Sequence, residues 1–281
     1  MMEAQTMLMS GDLELATRKI AEALSETEAV GEAPGAFYWR VKGQLAQFQA
    51  DLGGVRNAIQ QLRIADAKME SGWALPLEVD ALQAEDRLAE LRVMYEKAGA
   101  NRRLCELLCD EGRPVEGLKC LEQYPPPSGA GTAATVGMGL GSGGYGRNLK
   151  LAKCRYLAGD LDGAGKAALE ERTDARRWER YEEGVLANTY FMRVRSARGE
   201  AVQAIASLRA DLAEAESKHA KALAFEVALA LGEVELGAGR PEGRSRLLKL
   251  EQEAKSKEFV RVARLAREAL QRNGAPPPRA H

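Results

Sequence analysis

Apolar residues along this chain recur at three- and four-residue spacing instead of alternating with polar ones; Leu82, Leu88, Leu91 and Tyr95 share one such face. That spacing lines one side of a helix. No Val-, Ile- or Thr-rich alternating run bounded by turn residues reads as a half-buried strand, so an all-α chain with almost no sheet is expected. Met1 to Met9 has neither the basic start nor the apolar run of a secretory signal, and nowhere do enough apolar residues run together to cross a bilayer. The expectation is a soluble, cytoplasmic protein with no membrane contact.

The helical pattern is punctuated by a recurring turn, a glycine followed by Asp, Glu or Arg with a small residue five positions on. It reads Gly11-Asp12-Leu13-Glu14-Leu15-Ala16, then Gly112-Arg113-Pro114-Val115-Glu116-Gly117, Gly159-Asp160-Leu161-Asp162-Gly163-Ala164 and Gly199-Glu200-Ala201-Val202-Gln203-Ala204. Gly239-Arg240-Pro241-Glu242-Gly243 is a fifth copy that ends in Arg244, and Ala50-Asp51-Leu52 is a sixth with Val55 in the small position. Glycine can take the left-handed conformation that ends one helix, and an acidic residue or proline begins the next. Four residues beyond the small position stands an apolar residue on the same face: Ile20, Ile59, Leu121, Ala168, Leu208 or Leu248. Before the turns come large-then-small pairs, Leu104-Cys105, Leu151-Ala152 and Leu231-Gly232, with Trp39 and Gly43 ahead of Ala50.

Aromatic, Leu-Gly, glycine turn, alanine and bulky apolar residue in that order resembles the tetratricopeptide repeat. The resemblance covers most of Met1 to Leu270 in degenerate form and implies a right-handed α-α superhelix, a solenoid of antiparallel helix hairpins. The turns lie 39, 62, 47, 40 and 40 residues apart, longer than the usual ~34 and similar to the repeats in sensor regions of large bacterial transcriptional activators. The 62-residue step predicts an extra helix over Leu77 to Lys97. Helical repeats are expected over 1–124 and 147–272, separated by an uncharged Gly/Pro-rich flexible loop over 125–146 and followed by a disordered tail over 273–281. Only nine residues precede the first turn, so the first hairpin is expected to have a shortened first helix, with the chain a piece of a longer polypeptide or that end covered by a partner.

Net charge is −1, unevenly divided. Residues 1–124 hold 14 Lys and Arg against 21 Asp and Glu, net −7, whereas 147–281 hold 26 against 20, net +6. The acidic and basic halves are expected to attract each other within one superhelix or between two copies as a homo-oligomer, and no basic concentration marks a nucleic-acid binder. Gly129-Ala130-Gly131-Thr132-Ala133-Ala134 superficially matches a dinucleotide fingerprint but follows prolines instead of a strand. Cys105, Cys109 and Cys120 allow a metal set, yet their leucine neighbours, and those of Cys154, favour buried small residues. His219 and His281 are the only histidines. The chain is therefore read as no enzyme, with no cofactor and no metal.

The resemblance also implies where a ligand would sit. In tetratricopeptide proteins the first helix of each repeat lines a concave groove, at positions about ten and six residues before the turn. These map to Arg40 and Gln44, Leu149 and Lys153, Thr189 and Arg193, and Leu229 and Glu233, of which Arg40, Gln44, Lys153, Thr189 and Arg193 are the candidate partner-binding residues. Such a groove suits an acidic or C-terminal carboxylate of a protein or peptide ligand. The function implied is a binding scaffold or adaptor; the alternative is the helical sensor portion of a bacterial signalling or transcription-regulatory protein.

Overall fold

A left-handed residue followed by a capping group divides this chain into helices. At Gly11 (φ 81°) the amide donates to the Leu8 carbonyl at 3.1 Å and the Asp12 amide to the Met7 carbonyl at 2.9 Å. The Asp12 carboxylate then accepts from the Leu15 amide at 3.1 Å, opening the next helix. Asp51 and Asp160 repeat the cap, accepting from the Gly54 and Gly163 amides at 2.9 Å each. After Gly112 and Gly239 a proline starts the helix instead, at a position where its missing N–H leaves nothing unpaired. All six expected turns have a positive φ, including the non-glycine Ala50 at 55°.

The computed structural model describes residues 1–66, 74–124 and 147–273. Among them are fifteen helices. The first eight are α1 (Met2–Ser10), α2 (Leu13–Ala29), α3 (Ala36–Phe48), α4 (Leu52–Asp66), α5 (Leu75–Ala84), α6 (Leu88–Lys97), α7 (Asn101–Asp110) and α8 (Pro114–Gln123). The rest are α9 (Arg147–Leu157), α10 (Leu161–Arg177), α11 (Tyr181–Ala197), α12 (Ala201–Ser217), α13 (Lys221–Gly237), α14 (Pro241–Ser256) and α15 (Val260–Gln271). No strand occurs among the described residues. The 125–146 loop and all but Asn273 of the expected tail lie outside them.

Three sequence expectations are corrected. Leu77 to Lys97 is not one helix, because a left-handed Asp86 (φ 59°) splits it into α5 and α6, so the long step holds a complete hairpin whose turn lacks glycine. In the last copy Leu248 is 45% exposed while Leu247 is buried. There the Gly243 amide bonds the Arg240 carbonyl three residues back, tightening the first turn, and Gly243 takes the small position in place of Arg244. Cys105, Cys109 and Cys154 are buried and Cys120 partly so, but they are not isolated: disulfides Cys105–Cys120 and Cys109–Cys154 tie α7 to α8 and to α9.

Consecutive helices pack against each other throughout. Odd-numbered helices also touch along the series, α1 with α3, α3 with α5, α7 with α9, and so on to α15, whereas no two even-numbered helices do among the described residues. The odd helices therefore form an inner layer and the even ones an outer layer. Three further contacts, α1 with α11, α3 with α13 and α5 with α15, fold that inner layer back on itself. Ala4, Leu8 and Val41 accordingly share one core with Leu208, Val227 and Leu231, while Val55, Leu62 and Leu77 share another with Phe225, Leu247 and Ala266. Ion pairs follow the same closure: Arg264 meets Asp86 at 2.5 Å, and Arg56 pairs with Glu258. Arg264–Asp86 joins a base of the second half to an acid of the first, and Arg56–Glu258 joins the halves in the opposite sense.

Candidate functional site

Because the inner helices close on each other, their facing positions do not line an open groove. They surround two adjoining internal chambers. Residues at helical spacing point inward: Leu149, Lys153 and Tyr156 on α9, Leu186, Tyr190 and Arg193 on α11, Glu226, Leu229 and Glu233 on α13, and Arg261, Arg264, Glu268 and Arg272 on α15. A narrow chamber of about 220 Å³ lies toward α4 and α5, and a wider one of about 730 Å³ toward α6 and the end of α15. Asp110, Lys153, Tyr190, Glu226 and Arg261 border both.

This shared border is a charged network of mostly buried side chains. The Lys153 ammonium pairs with Asp110, and Arg261 reaches Glu226 at 2.6 Å and Asp110 at 3.9 Å. Burial alone would raise the Asp110 carboxyl, but Lys153 and Arg261 overcome it and hold the group at about 2. Burial brings Lys153 down to about 8 against the pull of Asp110, so both partners are ionised at neutral pH.

In the wide chamber, Arg193 and Arg272 share a single carboxylate, Glu233, at 2.8 and 3.4 Å. The Arg193 guanidinium stands 5.1 Å from the Tyr190 ring, which meets the Tyr156 ring edge-on at 6.2 Å. The Tyr156 and Tyr190 hydroxyls make no hydrogen bond to a described residue, and Arg272 Nε is buried without a partner. Burial raises both phenols above their ordinary range, Tyr190 to about 12, so they are neutral donors at physiological pH. Arg272 also lies 3.9 Å from Glu268, so the cations are charge-matched, and what the geometry leaves over is hydrogen-bond donors, the two phenol hydroxyls and Arg272 Nε. Oriented donors and cations of that kind receive anions.

Of the five candidate residues, three line the chambers: Lys153 both of them, Thr189 the narrow one and Arg193 the wide one. Thr189 is fully buried and its hydroxyl donates to the Leu186 carbonyl at 2.7 Å, so it shapes the wall without facing a ligand. Arg40 and Gln44 lie on α3, which packs directly on α13, and they line neither chamber; both are half-buried, and the Gln44 amide oxygen has no partner. Sequence reasoning overlooked Tyr156, Tyr190, Asp110, Glu226 and the arginines of α15. The recurrence of Arg261, Arg264, Glu268 and Arg272 at three- or four-residue intervals was the available signal, yet α15 reads as a terminal helix until its contact with α5 is known.

One carboxyl gives a pH-dependent test. Burial, with Glu183, Asp80 and Glu226 adding repulsion and Lys150 opposing, pushes Glu182 up to about 8. The folded state therefore holds a proton that the unfolded state releases above about 4.5, and stability falls as pH rises from there to about 8. Glu182→Gln should flatten that fall, gaining about 2 kcal/mol over wild type at pH 8 and little at pH 4. Urea titrations across this range check it; parallel curves for the two proteins would refute it.

Set beside known proteins, the chain matches no family model, no curated protein and no solved structure.

Proposed function

We propose that this chain is a peptide-binding scaffold of the tetratricopeptide kind, a tightly wound right-handed superhelix that admits the carboxylate-bearing end of a peptide into its wide chamber. The observation that carries this reading is the cluster of Tyr156, Tyr190, Arg193 and Arg272, in which both phenol hydroxyls and Arg272 Nε lack a hydrogen-bond partner among the described residues. Two guanidiniums and two phenols supply more donors than Glu233 and Glu268 can satisfy. A chamber of about 730 Å³ suits a short peptide end and lies within the usual range for ligand sites. The two disulfides weigh against the expected cytoplasmic location, since such bonds persist in oxidising compartments.

The test is a set of peptides varied at the last residues, each made as free acid and as C-terminal amide, titrated by calorimetry. Free acids should bind, and amidation should weaken the best of them at least about tenfold. The Tyr156→Phe, Tyr190→Phe double variant, which keeps the rings, should weaken free acids by a similar factor and leave helicity intact by circular dichroism. Equal binding of acids and amides would overturn the reading.

A further inference from the structure

Around both chambers nearly every inward charge is matched: Lys153 by Asp110, Arg261 by Glu226, Arg193 by Glu233, Arg264 by Asp86. The narrow chamber departs from this. Asp80 from α5, Lys150 from α9 and Glu182 from α11 all line it. Among the described residues none of the three forms an ion pair, although Lys150 acts on Asp80 at longer range and Gln47 lines the same wall. The Asp80 and Glu182 carboxyl groups and the Lys150 ammonium thus face a half-open space, in which an incoming cation would take the place of the proton that burial holds on Glu182. The remaining wall is largely apolar, with Val55, Ala81, Leu186, Leu223 and Phe259 on it.

We propose that the narrow chamber binds a small primary amine with an apolar body, its ammonium seated between Asp80 and Glu182 and its apolar part against Leu186, Leu223 and Phe259. A neutral apolar occupant would leave Asp80, Lys150 and Glu182 without partners. An anion would meet the Asp80 carboxylate with only Lys150 to offset it, whereas an ammonium that displaces the Glu182 proton leaves the charges balanced. A divalent cation needs six or more oxygens, and Lys150 would repel it. A primary ammonium is compact and carries three donors, enough for both carboxylates, while Lys150 is placed to donate to an oxygen beside the amine. A volume of about 220 Å³ admits a molecule the size of one amino acid. The same chemistry is presented by a free amine such as an amino-acid amide and by the amino-terminal residue of a peptide.

The inference rests on the inner channel being a ligand site, as in the reading above, but on different residues. The experiment uses the full chain in amine-free phosphate buffer, with L-leucinamide, N-acetyl-L-leucinamide and Leu-Gly-Gly-amide as probes in calorimetry. Leucinamide should bind and its acetylated form should not. Binding of Leu-Gly-Gly-amide but not leucinamide also supports the site and assigns it to peptide amino termini. Glu182→Gln and Asp80→Asn should each lower affinity at least about tenfold, while circular dichroism shows them folded. Neither unacetylated probe binding, equal binding of leucinamide and its acetylated form, or unchanged affinity in both variants overturns the proposal. Titrating the free-acid peptides into the same preparation keeps the two readings apart, because carboxylate binding then succeeds or fails independently of amine binding.

Discussion

Gly243→Ala is expected to destabilise the protein by about 3 kcal/mol or more. A methyl group on Gly243 would collide with the backbone amide of Leu236 and stand 2.8 Å from the Gly232 carbonyl oxygen. Backbone cannot rotate away as a flexible side chain can. The opposing Gly232 is equally constrained, since a methyl there would meet the Leu247 side chain at 2.7 Å. Two glycines thus let α13 and α14 cross closely, and Leu247 fills the space between them. Gly239→Ala is the matched control. It sits at φ 71° with nothing within 4 Å, so only left-handed strain of about 1 kcal/mol applies. By thermal denaturation the Gly243 variant should lose roughly 6–12 °C and the Gly239 variant roughly 2–4 °C. Equal losses would show that the helix crossing is not set by this contact.

The second large effect concerns a carboxylate with no access to solvent. Glu235 is fully buried and accepts from Arg209 on α12 at 3.2 and 2.7 Å and from Arg246 on α14 at 3.0 and 3.4 Å. Burial alone would raise its carboxyl, but the Arg246 and Arg209 hydrogen bonds hold it below the ordinary range. Removing both arginines leaves a buried charge with no counter-ion, which costs about 3 kcal/mol, the low end of the usual range because Arg209 is half exposed. Either single change should cost about 1 kcal/mol, since one arginine still compensates. Adding Glu235→Leu to the double variant should recover much of the loss by removing the uncompensated charge. The pH dependence gives a further sign. With its pKa depressed in the fold, Glu235 contributes stability above about 4.5 that is lost on acidification, and the double variant should lose that contribution. A double variant as stable as wild type in urea titrations at pH 7 would refute this account.

Several features were legible in the residues because one position decides them. A glycine with a capping Asp or proline behind it ends one helix and begins the next through local chirality and hydrogen bonding, and Gly11, Gly112, Gly159, Gly199 and Gly239 all take the left-handed conformation. Counted back from those turns, the resemblance singles out Lys153 and Arg193, each six residues before a glycine turn, and both line the chambers. Apart from Ala50, which has the capping Asp51 behind it, turns made by non-glycine residues gave no signal. Asp86, Glu179, His219 and Glu258 adopt φ between 51° and 62°, a conformation disfavoured for such residues and held here by the packing of the helices they join. Missing Asp86 turned a hairpin into one long helix.

The sequence by itself therefore determined an all-helical chain, its main turns and which faces are apolar, since each of these depends on residues within a turn or two of one another. Only the tertiary structure decided what the inward faces do. That structure brings α1, α3 and α5 against α11, α13 and α15, and no local pattern encodes contacts between helices so far apart in the chain. It converts an expected open groove into two chambers, places Arg40 and Gln44 off their walls, and makes a terminal helix part of the site. The groups left over on those walls, Asp80, Lys150 and Glu182 in one chamber and the Tyr156 and Tyr190 hydroxyls in the other, become visible only once the closure has matched the rest, because whether a polar group has a partner depends on which distant helix arrives beside it.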